Sequence, residues 1–185
     1  RQRLIRTVLV EAPEGMGKQR LMAELRREVQ LGGGLFVEAS VWSNDRSALG
    51  PFSGLVVQLA TALGEGSPVV QRHSDLVTLA RGSGSNTSAA GQLVEFLLAA
   101  ADERPYVLHL SGLAQAAAEL DRVEQIVRAL DHNEAPILLC ATTVPHSKLT
   151  AALKQMSVDQ VLETWHLRPF TNREMYAVLA GILGD

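Results

Sequence analysis

The sequence predicts an α/β three-layer sandwich built on a five-stranded, mainly parallel sheet, and three observations predict it. Five short apolar runs stand between turn signals: Thr7 to Glu11, Leu35 to Ser40, Tyr106 to Leu110, Ile137 to Thr142 and Val161 to Thr164. Near-continuous hydrophobic strands of this kind are buried on both faces, as in parallel sheets covered by helices. The segments between them repeat apolar residues with helical period, and a glycine-containing loop joins the first strand to the first helix.

Each helix shows one apolar stripe. Leu21, Leu25 and Val29 follow the loop; Leu55, Leu59 and Leu63 follow the second strand; Leu93, Leu97 and Ala101 precede the third; Leu120, Val123, Val127 and Leu130 precede the fourth. Stripes of this width face a sheet. The low-complexity piece GSGSNTS, Gly82 to Ser88, has no apolar area to bury and reads as a surface loop before a helix at Ala89. At the end, TNRE from Thr171 to Glu174 is a capping box, so a final helix starts near Asn172. Right-handed crossovers leave few ways to connect these elements. No internal repeat and no second domain is visible, so residues 1–185 are expected to form one domain.

Seventeen basic and twenty acidic residues give a net charge of −3, and the charges are interspersed. No electrostatic footprint for nucleic acid or an anionic membrane stands out, and the cluster Arg1, Arg3, Arg6 reads as a solvated end. Cys140 is the only cysteine and sits in the apolar run PILLCATT, which predicts a buried thiol and fits a reducing, cytoplasmic setting. The apolar stretches are too short and too interrupted to span a bilayer, and the first residues do not form a signal peptide. The start without Met, close to a strand, suggests a fragment of a longer protein.

The loop APEGMGKQ, Ala12 to Gln19, carries half of a phosphate-binding signature. In G-x-x-x-x-G-K-[ST], backbone N–H groups and a helix N-terminus surround the phosphates, the lysine reaches the outer ones and the hydroxyl binds Mg²⁺. Gly15, Gly17 and Lys18 keep the turn and the charge, whereas Ala12 replaces the first glycine and Gln19 replaces the hydroxyl. The nucleotide-binding residues Gly15, Met16, Gly17, Lys18 and Gln19 are therefore expected to be vestigial, with Mg²⁺ held poorly. A hydrolase also needs an acidic residue at the end of a neighbouring strand. The third strand ends in Ser111 and Gly112, with no carboxylate until Glu119.

With these parts in view, the chain resembles the nucleotide-binding domain of STAND-type ATPases, the AAA+-related P-loop modules of large signalling and transcription-regulating proteins. VLVEAPEGMGKQRLMAEL matches their loop and first helix, LGPFSGLVVQLATAL their Pro-aromatic segment, YVLHLSGLAQA their Walker B strand, PILLCATTVP their sensor strand and LRPFTNREMYAVLAGIL their entry into a helical lid. The resemblance implies a P-loop NTPase-like fold with strand three beside strand one, Lys18 as the phosphate lysine and Pro169 as the lid proline. Ser111 and Gly112 then stand where the family has its two acids, and Val144 where many members have a sensor arginine. It further implies a helical lid beyond residue 185 and a base-contacting segment before residue 1.

The five histidines, His73, His109, His132, His146 and His166, have no metal-ligand spacing with one another or with Cys140. His109 reads as a hydrogen-bonded core or sheet-face residue, Ser111 lacks the first glycine of a nucleophile elbow, and Trp42 and Trp165 read as packing beside strand ends. Departures at Ala12, Gln19, Ser111, Gly112 and Val144 together lead to the expectation of a catalytically inactive pseudo-ATPase domain without cofactor or metal. Its partners are expected to be other domains of the parent protein or other proteins, with a homo-oligomer left open and no membrane or nucleic acid bound through this domain. Two alternatives stand beside it: a switch that binds ATP or ADP without hydrolysis, and an active NTPase whose metal acid is Glu14, Glu38 or a residue of a neighbouring subunit.

Overall fold

The computed structural model describes residues 7–41, 49–82, 89–113, 119–133, 136–145, 155 and 162–183. In chain order the elements are β1 (Thr7–Glu11), α1 (Lys18–Leu31), β2 (Leu35–Ser40), α2 (Ser53–Leu63), α3 (Pro68–Arg72), α4 (Ser74–Ala80), α5 (Ala89–Glu103), β3 (Tyr106–Ser111), α6 (Leu120–His132), β4 (Ile137–Thr143), β5 (Glu163–His166) and α7 (Asn172–Leu183). The five strands form one sheet, ordered β2-β3-β4-β1-β5, in which every pairing is parallel.

The alternation along each strand divides the core in two. Leu9, Val37, Ala39, Leu108, Leu110, Leu139 and Ala141 point to one face and pack with α2, α4, α5 and α6 around the fully buried Phe52 and Phe96. Val8, Val10, Val107 and Cys140 point to the other face, where Met22, Leu21, Leu25 and Val29 of α1 cover them. Both faces of β1, β3 and β4 are apolar because both are roofed by helices, the condition that made these runs legible as parallel strands.

Two expectations need correction. Strand three does not lie beside strand one: β4 is inserted between them, with Leu9 opposite Ala141 on one side of β4 and Leu108 opposite Leu139 on the other. The β3–α6–β4 crossover moves one place toward β1 and fills the centre of the sheet, a lateral choice that hydrophobic pattern does not encode. The last strand is Glu163–His166 and not Val161 to Thr164. Leu162 is buried ahead of it, but pairing with β1 begins at Glu163, opposite Val8, and Val161 lies outside the described residues. The helices α3 and α4 carry no stripe long enough to stand out. Their start is fixed by Ser67, whose Oγ accepts from the N–H groups of Val69 (3.1 Å) and Val70 (3.3 Å), ahead of Pro68 in the first helical position. The same hydroxyl donates to the Glu103 carboxylate at 2.9 Å, tying α3 to the end of α5.

The terminal capping box forms as expected. The Thr171 N–H donates to Glu174 Oε2 at 2.7 Å, and the Glu174 N–H donates back to Thr171 Oγ1 at 3.3 Å. Trp42, His146 and most of the GSGSNTS segment lie outside the described residues.

Candidate functional site

The loop between β1 and α1 is shaped by its glycines. Gly15 and Gly17 hold φ of 76° and 84°, in the left-handed region that disfavours any Cβ. Gly17 is the residue that caps α1, and its carbonyl accepts from Leu21 N at 2.9 Å. The chain thus turns from strand to helix with the first helical N–H groups and the positive end of the helix dipole facing the loop. Ala12 is buried and donates its N–H to Thr143 O at 3.2 Å, which fastens the loop to β4. Lys18 opens the helix, and its ammonium donates to Ala12 O (2.5 Å) and Pro13 O (2.8 Å), so the lysine closes the loop upon itself.

A cavity of about 280 Å³ lies in front of this loop, at the carboxyl ends of β2, β3 and β4. This is where open parallel α/β sheets place their ligands. Of the residues singled out in the sequence, Lys18, Gln19, Ser111, Gly112 and Val144 all line it. Ala12, Gly15, Met16 and Gly17 shape the loop without lining the cavity. Gly112 has φ 74°, in the left-handed region that glycine adopts freely.

His109, legible in the sequence only as a core or sheet-face residue, lines the same cavity, in a row of polar side chains crossing three strands. Register puts Glu38 beside His109 and His109 beside Cys140, two residues before Thr142 on the same face of β4. His109 Nε2 lies 3.2 Å from Thr142 Oγ1. Its Nδ1 lies 3.3 Å from Glu38 Oε1, close enough for charge attraction but too poorly aligned for a hydrogen bond. Burial holds the His109 pKa below its ordinary value, against the pull of Glu38 and with help from Arg26. Glu38 is itself committed: Arg26 Nη2 meets its Oε2 at 2.8 Å while the guanidinium rests over the Phe36 ring, 4.8 Å from its centroid. The signal that would have found the row is the period of two in β2 and β3, which puts Glu38 and His109 on the α1 side of the sheet.

Chemically, the loop side of the cavity offers N–H donors and one ammonium, a setting for an anion. The strand side offers hydroxyls, an imidazole and the Glu38 carboxylate, while Glu14 reaches the cavity from the loop. Among the described residues no group of three or more His, Cys, Asp or Glu is placed to hold a metal ion. The predicted lid proline, Pro169, is exposed beside Arg168, which forms a two-pronged pair with Glu174 at 2.8 and 2.9 Å. That pairing and the Thr171 contacts hold the Glu174 carboxyl down at about 2. Among the described residues no helix is long and apolar enough to cross a membrane.

No protein-family model and no curated protein matches the sequence. Similar solved structures exist. A chain of Drosophila ORC bound to DNA matches with a TM-score of 0.50 and 13% identity, over 90% of this chain and 84% of that one. A chain from Drosophila ORC bound to AT-rich DNA and Cdc6 matches with a TM-score of 0.53 and 13% identity, over 97% of this chain and 57% of that one. At this identity the likeness speaks for the fold alone, and the sheet order, the loop and the cavity place the chain in the P-loop NTPase-like, AAA+-like fold.

Proposed function

We propose that this domain is a pseudo-ATPase: an AAA+-like framework kept as a scaffold or protein-interaction module within a larger signalling or regulatory protein of STAND type. One observation carries the reading. The strand ends opposite the phosphate loop bring Ser111, Gly112 and Val144 to the cavity wall, and the strand-borne carboxylate there, Glu38, is held by Arg26. Phosphoryl transfer rests on positioned metal and charge far more than on covalent chemistry, so a wall whose carboxylate is already paired with Arg26 lacks its main source of rate. Exposed apolar side chains support the binding role: Trp165, Phe170, Met175 and Tyr176 all stand 49% or more exposed along β5 and α7. The ORC chains of similar fold come from structures of protein–DNA assemblies, which fits a module that works inside a complex.

The intact geometry at Gly15, Gly17 and Lys18 favours a second reading, a switch that holds ATP or ADP without hydrolysing it. A phosphate-release assay with Mg-ATP and Mg-GTP tests the main proposal. Release is expected to equal a no-protein blank, both for these 185 residues and for a longer chain. Turnover that vanishes in Lys18→Ala would overturn the pseudo-ATPase reading. Nucleotide retained through gentle purification, with no turnover, would favour the switch.

A further inference from the structure

A second cavity, of about 310 Å³, lies on the flank of α1, away from the phosphate loop. Its walls come from the smaller of the two cores. Val8 and Val10 of β1 and Leu138 and Cys140 of β4 form the floor, and Leu21 and Leu25 of α1 form one side. The edge strand β5 closes the other side with Glu163 and Trp165, which register opposite Val8 and Val10 and so share their face of the sheet. The space has the size of a small-molecule site and a lining of the usual kind, apolar with a single polar group.

Glu163 Oε2 is buried and has no hydrogen-bond partner among the described residues, and no lysine or arginine lines the cavity. A buried acceptor without a donor costs free energy that a bound donor would recover, and for a carboxylate the strongest such donor is a cation. Trp165, 49% exposed at the rim, adds an aromatic face to which a cation is drawn. An apolar floor, one unpartnered carboxylate oxygen and an indole at the mouth are complementary to a positive charge carried on a hydrocarbon body.

We propose that this cavity binds a small lipophilic amine, whose apolar body lies against Val8, Val10, Leu21 and Leu138 and whose ammonium pairs with Glu163. The site is independent of the phosphate loop and of the function proposed for it. Isothermal titration of the 185-residue chain with 4-phenylbutylamine, and with the neutral 4-phenyl-1-butanol, tests it. The amine is expected to bind about tenfold or more tighter than the alcohol, the scale of a charge-assisted hydrogen bond. In Glu163→Gln that preference should disappear while alcohol binding stays. Location is read separately in the wild type: Cys140, the only cysteine, sits in the floor, so saturating amine should slow its modification by methyl methanethiosulfonate. This second readout decides the matter should Glu163→Gln fail to fold. Equal affinities for amine and alcohol, unchanged labelling of Cys140, or an amine preference that survives Glu163→Gln would each overturn the proposal. Binding of neither probe would overturn it too, and would point to a protein segment as the occupant of this face.

Discussion

The loop wall and the strand wall of the first cavity face each other across about 280 Å³, and they have been treated differently. On the loop wall, two left-handed glycines, a lysine and a helix N-terminus preserve the geometry that attracts phosphate. On the strand wall, Ser111, Gly112, Thr142, Thr143 and Val144 are uncharged, and the carboxylate there, Glu38, is held by Arg26. The loop is part of the fold's framework: it fixes how β1 enters α1 and is tied to β4 through Ala12. The tip residues Ser111, Gly112 and Val144 are only half-buried, so their chemistry can change with little loss of structure. Framework and reactivity can therefore separate in one site.

The contrast between framework and tip is broken most directly by stability. Leu108 is fully buried in the central region of the sheet, and Leu108→Ala should cost about 2 to 5 kcal/mol. Ser111→Ala, at a half-buried strand tip, should stay within about 0.5 kcal/mol. Paired urea titrations read both. Comparable losses would show that the tip belongs to the framework after all.

Restoring chemistry to the strand wall sharpens the comparison from the other side. Wild-type protein in millimolar Mg-ATP should melt within about 1 °C of the free chain, since at this size each kcal/mol of binding moves the midpoint by roughly 2 to 4 °C. Gln19→Thr combined with Ser111→Asp supplies the two metal contacts that the cavity lacks. A ligand at about 100 times its dissociation constant stabilises by roughly 2.7 kcal/mol, so the double variant should gain several degrees, dependent on Mg²⁺. No gain would mean that Ser111 does not stand at the metal position.

A smaller effect is expected at the loop. No atom lies within 4 Å of the Cβ that an alanine would add at Gly17, so Gly17→Ala carries only the strain of its positive φ, about 1 to 2 kcal/mol. Gly17→Asn should cost less, because asparagine tolerates that region. Equal costs in thermal denaturation would point to a packing role instead.

The smallest effect concerns the cap of α7. Glu174 has its pKa held at about 2 in the folded chain against an ordinary 4.5, so its contribution is fully present above pH 4.5 and is lost as pH falls toward 2. Glu174→Gln should abolish that acid-dependent step. Amide hydrogen exchange across 172–183 is expected to rise in the variant at neutral pH and to rise in the wild type only in acid.

How much of this was legible follows from which forces are local. Burial on both faces writes itself into β1 as a run of apolar residues, and β2 was bounded by the glycines before it, so both were readable to the residue. A capping box is a four-residue device and was read in full, as was the glycine loop with Lys18 at the helix start. The half-signature at Ala12 and Gln19 and the missing acids at Ser111 and Gly112 are equally facts of sequence. The tertiary structure alone decided what depends on lateral neighbours. Strand order is one such matter: β4 entered between β1 and β3 because a crossover can move one place or two with the same apolar pattern. The polar row of Glu38, His109 and Thr142 is another, since its members are distant in sequence and meet only through register. The unpartnered oxygen of Glu163 is the last, because burial without a partner is a property of the space around an atom, and no pattern along the chain records that space.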